Sequence, residues 1–355
     1  MRRIFLTARP CLPQGVACRI PAIALVLGLG APAIAESGVT SQAVKEPIEL
    51  ARQGAFEAGG TTLMDGKQSL SCDHGYVEYQ IPTNARATAL FMWHSSSAKV
   101  WQSRWDGGEG FQSIFLRRKF PVYLWDGPRV GRGNWGCTPY TYEPRPGRDQ
   151  QNFVSWRLGE KYPEWFPGVQ FPRNDPEAWE QATRARYQEF DTIDNAQVQS
   201  DAAAHAIDRI GPTVLLTNSA GGFRALLTAL KSDRVKGIVA YENPGYVLPE
   251  GAEPAADPGY FPPVFVSSKE FEKLTRIPIQ LVFGDNVEKS AGWTNYRKNA
   301  VQFAKLVNAA GGNAEVLDLP SVGLVGNTHI PFADLNNVAV ADELSSFLKK
   351  HKLDQ

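Results

Sequence analysis

Cysteine is scarce in this chain: four among 355 residues, Cys11, Cys18, Cys72 and Cys137. An excess of either charge is lacking too, since 37 basic side chains balance 37 acidic ones. That balance gives no footing for nucleic acid or an anionic membrane surface, both of which need a basic excess. Long apolar runs are also absent. The stretch "IPAIALVLGLGAPAIA" at 20–35 is short and interrupted by Gly and Pro, which argues against a membrane span, so no membrane anchoring is expected. No internal repeat is visible.

What does stand at the N-terminus reads as an export signal. Arg2, Arg3, Arg9 and Arg19 come without any acidic residue, the apolar stretch follows, and it ends in Ala33-Ile34-Ala35, an A-x-A cleavage site. Residues 1–35 are therefore expected to be a signal peptide cut after Ala35, leaving 36–355 as a periplasmic or secreted domain. "RRIFL" resembles the twin-arginine export pattern, although the apolar core lies rather far downstream. Cleavage removes four arginines and no acid, so the remainder carries a balance of −4. It also removes Cys11 and Cys18. Cys72 and Cys137, alone in an oxidising compartment, are expected to form one disulfide, and they are too few for a zinc site.

Downstream, short apolar runs alternate with helical patterns. Strands are expected at 75–82, 87–94, 121–127, 213–218, 235–242, 277–285 and 314–320. Helices are expected at 109–120, 195–210, 220–231, 294–310 and 339–351. Strand–helix alternation with continuous apolar strands implies a mostly parallel sheet with helices on both faces. Residues 138–194 break this rhythm, being rich in Pro, Trp, Tyr, Phe and charge. An insertion of that size in an α/β core is usually functional, so it is expected to be a cap over the strand ends; the plainer reading is a surface excursion with its own aromatic cluster. The segment 243–275 has a similar character.

The stretch "LLTNSAGGFRALLTAL", 215–230, runs from a buried strand through a knot of small residues into a helix. Phe223, Leu226, Leu227 and Leu230 fall at i, i+3, i+4 and i+7, one face of that helix. Ser219 sits where strand turns into helix. Two readings follow: a nucleophile pushed out on a sharp turn, with helix N–H groups aimed at an oxyanion, or an ordinary Ser helix cap. The usual G-x-S-x-G pattern keeps only its second glycine here, Gly221, with Thr217 in place of the first. A nucleophilic serine needs a base and an acid, in the chain order Ser, acid, His. Of five histidines, His74 precedes the core sheet, His94 ends a strand, His205 falls on a helix and His351 lies in the tail. Only His329 lies in a loop between the last strand and the last helix. Two acids end strands after the elbow, Glu242 and Asp285, and position favours Asp285. "GRGNWG", 131–136, matches a dinucleotide-binding pattern, but "CTPYTYEPRP" after it cannot be the helix such a site needs. A second oxyanion donor is expected from "WHSSSAKVW", the backbone N–H of Ser95 or Ser96, beside that of Ala220.

The segments "QGAFEAGGT", "WHS", "FLRRKFPVYLWDGPRVGRG", "TNSAGG", "GIVAYENPG", "IPIQLVFGDNVE", "VNAAGG" and "LPSVGLVGNTHIPFADLNNVAVADELSSFL" run through most of the mature chain. On them the chain resembles a small family of secreted bacterial esterases with the α/β-hydrolase fold, whose triad acid is a glutamate after strand six. Family members also lack the first elbow glycine. The resemblance implies Ser219 as nucleophile, His329 as base and Glu242 rather than Asp285 as acid. It implies a small-molecule ester as substrate, with no metal or organic cofactor, and leaves the oligomeric state open, a homodimer included. Relatives often carry adjacent cysteines beside the oxyanion hole where this chain has Ser95-Ser96-Ser97. A lactonase or amidase with the same triad, or an inactive extracytoplasmic binding protein of the same fold, are the alternatives.

Overall fold

The computed structural model describes residues 46–355; the expected signal peptide lies outside the described residues. The strands are β1 (Leu50–Asp65), β2 (Gln68–Pro82), β3 (Ala89–His94), β4 (Val122–Asp126), β5 (Thr213–Asn218), β6 (Val235–Tyr241), β7 (Val247–Pro249), β8 (Val264–Val266), β9 (Pro278–Phe283) and β10 (Asn313–Asp318). The helices are α1 (Phe111–Arg117), α2 (Arg148–Ser155), α3 (Ala178–Arg184), α4 (Ile193–Ile210), α5 (Ala220–Ala229), α6 (Ser268–Thr275), α7 (Ala291–Ala309) and α8 (Asn337–Lys350).

Eight strands form one sheet in the order β1-β2-β4-β3-β5-β6-β9-β10, and β7 and β8 pair separately. β1 and β2 make a long antiparallel hairpin, and β2 is antiparallel to β4. From β4 to β10 every neighbour is parallel. This is the α/β-hydrolase arrangement expected. Although β2 and β3 are joined by a short turn, they do not pair; β4 lies between them.

Side-chain alternation along each strand explains the two covered faces. Phe91, Trp93, Trp125, Leu215, Ile238, Ala240 and Leu281 join a core completed by α4, α5 and α7. Leu90, Met92, Leu124, Val214, Leu216, Val239 and Val282 point the other way, into a core completed by α1, α8 and the aromatic insertion. Every residue of β3, β4 and β5 is buried. α4 crosses the β1–β2 hairpin at Gly59, where a Cβ would stand 2.3 Å from the Ala202 Cα and where φ is +70°. Only a residue without a Cβ meets both demands.

Helix starts follow ordinary capping chemistry in three cases. Thr192 Oγ1 accepts from Asn195 N–H, Ser290 Oγ from Trp293 N–H, and Ser267 forms a reciprocal capping box with Glu270. Cys72 of β2 and Cys137 of the loop after β4 are bridged. Within the insertion, Phe153 of α2 and Trp179 of α3 cluster with Trp156, Tyr162, Trp165 and Phe171 of the intervening chain through mostly edge-to-face ring contacts. The chain from 137 to 147 contains no helix, so the glycine pattern at 131–136 leads into no nucleotide-type βα turn. No helix among the described residues is long and apolar enough to cross a membrane.

Candidate active site

β5 ends at Asn218 and α5 begins at Ala220, so Ser219 alone makes the turn. Its backbone has φ 54° and ψ −136°, and its side chain makes no capping hydrogen bond. Thr192, Ser267 and Ser290 cap their helices; Ser219 does not. The ordinary-cap reading is thereby excluded, and the strained backbone is what a nucleophile elbow requires. Gly221 is needed for a local reason: a Cβ there would lie 2.8 Å from the Trp93 carbonyl oxygen. The elbow thus sits tight against the end of β3, and Thr217 in place of the first glycine is accommodated as a fully buried residue.

Ser219 and His329 line one cavity of about 420 Å³, together with His94, Ser95, Trp156, Tyr260, Trp293 and Tyr296. The insertion contributes Arg148, Asn152, Val154, Ser155, Arg186 and Glu189 to the same walls. His329 is held from several sides. Its N–H donates to the Trp156 carbonyl (3.0 Å), its carbonyl accepts from Asn218 Nδ2 (2.9 Å), and its ring lies 4.6 Å from that of Trp293. The loop carrying it is tied down by Asp334, whose carboxylate accepts from Thr328 N–H and Oγ1 and from Asn327 Nδ2. Burial pushes the Asp334 carboxyl up to about 7 despite these donors.

Glu242 follows β6, fully buried, with φ 58°. Its Oε1 accepts from Arg157 Nη2 (2.6 Å) and Gly284 N–H (2.5 Å). Its Oε2 lies 3.7 Å from His329 Nδ1, too far for a hydrogen bond, and neither of these two atoms has a hydrogen-bond partner elsewhere. Burial alone would raise the Glu242 carboxyl, but the Arg157 charge and His329 outweigh it and hold it below the usual carboxylate value. Burial lowers His329, Glu242 draws it back up, and the net shift is downward. Asp285 is committed elsewhere. Its Oδ1 accepts from Asn286 N–H and its Oδ2 from Gly326 N–H, both at 2.7 Å, so it fastens the histidine loop without facing the ring.

Arg157 escaped the sequence reading. It is 2 % exposed, and it bridges Glu242 to the Asp285 carbonyl (Nε, 2.8 Å) while its guanidinium lies 4.9 Å from the Trp293 ring centroid. Its only signal was a charge inside an aromatic-rich insertion. Beside the elbow, the Ser96 N–H donates to His94 Nδ1 (2.9 Å), so Ser96 is committed and Ser95 is left as the oxyanion candidate of the pair. Ser95 is held by Arg224 of α5, whose Nη1 donates to its carbonyl (3.3 Å) and whose Nη2 pairs with Asp191. The arrangement offers a hydroxyl on the cavity wall, an imidazole, a buried carboxylate and backbone N–H groups at a helix start, the parts acyl transfer needs. Among the described residues no group of three or more His, Cys, Asp or Glu could hold a metal ion.

The sequence matches no established family model. It is 25% identical, over 330 residues covering 78% of this chain and 85% of the relative, to a probable secreted lipase, phiG, of Fungal sp. (strain ATCC 74256). The fold superposes on a solved structure described as that of a novel bacterial esterase with a TM-score of 0.73 and 24% identity, covering 87% of this chain and 99% of that one. The chain thus has the α/β-hydrolase fold.

Proposed function

We propose that the chain is an exported serine carboxylic ester hydrolase. The observation that carries this reading is the geometry at Ser219: a left-handed backbone without a capping bond, in one cavity with His329, whose Nδ1 faces the buried Glu242 carboxylate at 3.7 Å. Catalytic contacts are commonly long in a substrate-free site and shorten when substrate binds. The secreted lipase and the esterase fold match support ester chemistry, and the bridged Cys72–Cys137 pair supports export.

In this mechanism His329 Nε2 takes the Ser219 proton as Oγ attacks the ester carbonyl. The resulting oxyanion is held by the N–H groups of Ala220 and Ser95, the first aided by the α5 dipole. Collapse expels the alcohol, which leaves with the proton from His329. Water then attacks the acyl-enzyme with His329 again as base, releasing the acid and restoring Ser219. Glu242 fixes the Nδ1–H tautomer and offsets the imidazolium charge; Arg157 and Gly284 hold the carboxylate in place. Aromatic walls from Trp156, Trp293, Tyr260 and Tyr296 suit an apolar acyl or alcohol group.

The test is parallel turnover of p-nitrophenyl esters, lactones and anilides, with fluorophosphonate labelling, by the intact protein and by Ser219→Ala. Ester turnover and labelling that both vanish in the variant, at an unchanged melting curve, are expected, with a rate loss of about 10⁴ to 10⁶. Retained ester hydrolysis in the folded variant would refute the nucleophile. Preferred lactone or anilide turnover would redirect the substrate class.

A further inference from the structure

One face of α2 runs along the reaction cavity. Arg148, Asn152 and Ser155, spaced i, i+4 and i+7, and Trp156 directly after the helix all line the cavity that holds Ser219 and His329. Phe153, on another side of the helix, is buried in the aromatic cluster. The C-terminal end of α2 abuts the catalytic base, because the Trp156 carbonyl accepts the His329 N–H. At about 1.5 Å per residue, Arg148 stands roughly 12 Å from Trp156 along the axis, and a helical side chain leans toward the N-terminus, farther still from the base. Two arginines and one glutamate are the ionised groups of this wall. Arg186 pairs with Glu189, and its guanidinium lies 5.0 Å from the Trp156 ring centroid. Arg148 is half-buried, and among the described residues no carboxylate pairs with it and no acceptor bonds its side chain. Asp149, one residue on, faces another side of the helix. A cation in the first turn is disfavoured by the helix dipole, so the local energetics of α2 do not account for Arg148. The wall is left with one uncompensated positive charge, at the end remote from His329.

We infer that Arg148 determines specificity, and that the substrate class is an ester with an apolar stem ending in a carboxylate, which the Arg148 guanidinium binds as an ion pair. This rests on the ester-hydrolase reading above and deepens it. The reacting carbonyl lies at Ser219, the stem lies among Trp156, Trp293, Tyr260 and Tyr296, and the charge lies at the far end of the wall. A half-buried arginine suits this task. Its planar fork meets both carboxylate oxygens, and partial burial shields the pair from water better than full exposure does. The length of α2 adds a constraint. A carboxylate next to the reacting carbonyl falls short of Arg148, so the preference belongs to long chains and not to short ones.

Two substrate series test this. p-Nitrophenyl half-esters of dicarboxylic acids of increasing length carry the carboxylate on the acyl side. Acetate esters of ω-hydroxy acids of matching lengths carry it on the alcohol side. Each ester is compared with its primary-amide analogue, which has the same shape and no charge. In at least one series the long charged ester should exceed its amide twin in kcat/KM by about tenfold or more, and added salt should shrink that ratio. Arg148→Gln should bring the ratio to about one, mainly through KM, and Arg148→Glu should invert it. A purely structural Arg148 would change both twins alike and leave the ratio where it was. A ratio near one in both series with the intact protein, or a ratio that survives Arg148→Gln, would overturn the proposal. Calorimetric titration of Ser219→Ala with the same pairs separates two kinds of failure. An inert variant that binds charged and amide esters equally defeats the assignment of Arg148 alone. A folded Ser219→Ala that hydrolyses esters as fast as the intact protein defeats the ester-hydrolase reading instead.

Discussion

Glu242→Gln removes a charge and leaves the shape almost unchanged, so its effects can be worked from the contacts. The glutamine oxygen can still accept from Arg157 Nη2 and Gly284 N–H, which meet Oε1 at 2.6 and 2.5 Å. The new NH₂ then occupies the Oε2 position, 3.7 Å from His329 Nδ1. Facing a donor, Nδ1 must accept, which moves the ring proton to Nε2, the nitrogen that has to take the proton of Ser219. The variant should therefore hold the base in the wrong tautomer and lose about 10² to 10⁴ in kcat. Stability falls as well, because the Arg157 guanidinium, only 1 % exposed, keeps its burial without its counter-charge. Breaking a buried pair costs about 3 kcal/mol or more, roughly 4 to 5 °C or more in melting temperature for a domain of this size. Because the Glu242 carboxyl is depressed in the folded protein, its contribution is present above the unfolded carboxylate value and lost as pH falls through the folded one. The glutamine variant should show a correspondingly flatter acid side in its stability profile. Asp285→Asn is the control. Its oxygens serve Asn286 and Gly326 N–H groups, so it should lose stability by about 1 to 3 kcal/mol and activity by roughly tenfold or less. Steady-state turnover of a p-nitrophenyl ester, beside calorimetry at several pH values, measures all of this. If both variants fold and Asp285→Asn loses the larger share of kcat, the assignment of Glu242 is wrong.

The acid limb of kcat/KM should fall below the ordinary imidazole value of 6.5, because burial lowers His329. In Glu242→Gln the residual activity should have its limb lower still, since the carboxylate that favours the imidazolium is gone; a limb that moves upward would contradict this. Thiol titration of the unreduced exported protein should find no free thiol, and Cys72→Ala/Cys137→Ala should cost about 4 kcal/mol by the chain-entropy relation for a separation of 65 residues. Gly59→Val should destabilise by roughly 2 to 4 kcal/mol in urea titration, because a Cβ meets the Ala202 backbone at 2.3 Å and φ is +70°; a neutral effect would mean that α4 does not press on the hairpin there.

The parallel centre of the sheet was legible because burial on both faces forces continuous apolar runs. Strand 213–218 was read with the bounds it has, and the helix after it nearly so. β1 was not read. "LARQGAFEAGGTTLMD" is mostly exposed and has no clean alternation, so its strand character comes from pairing with β2 across the hairpin. The order of β2, β4 and β3 was equally hidden, since chain adjacency does not decide which strands share hydrogen bonds. Inside the insertion, α2 and α3 were masked by aromatic residues whose spacing serves a local cluster. At the site, Ser219 and His329 stood out because a strand-to-helix knot and a loop histidine leave marks in sequence. Glu242 and Asp285 both ended strands, and only their hydrogen-bond partners tell them apart. Arg157 acts through contacts between distant segments, which a linear pattern does not carry.

Arg157 and Trp156 belong to the insertion, yet the first bonds Glu242 and the second accepts the His329 N–H. A flap that opened by lifting this part of the segment would strip a buried carboxylate of its counter-ion and unseat the histidine in the same motion. Access must therefore come through the existing mouth and small side-chain movements, and turnover should not rise at an oil–water boundary as it does where a lid is displaced. For the same reason the segment cannot be exchanged as a module. Grafting in a different covering loop would change what fits the cavity and also disarm the machinery beneath it, so selectivity here is open to redesign by point changes at the wall and closed to loop transplantation.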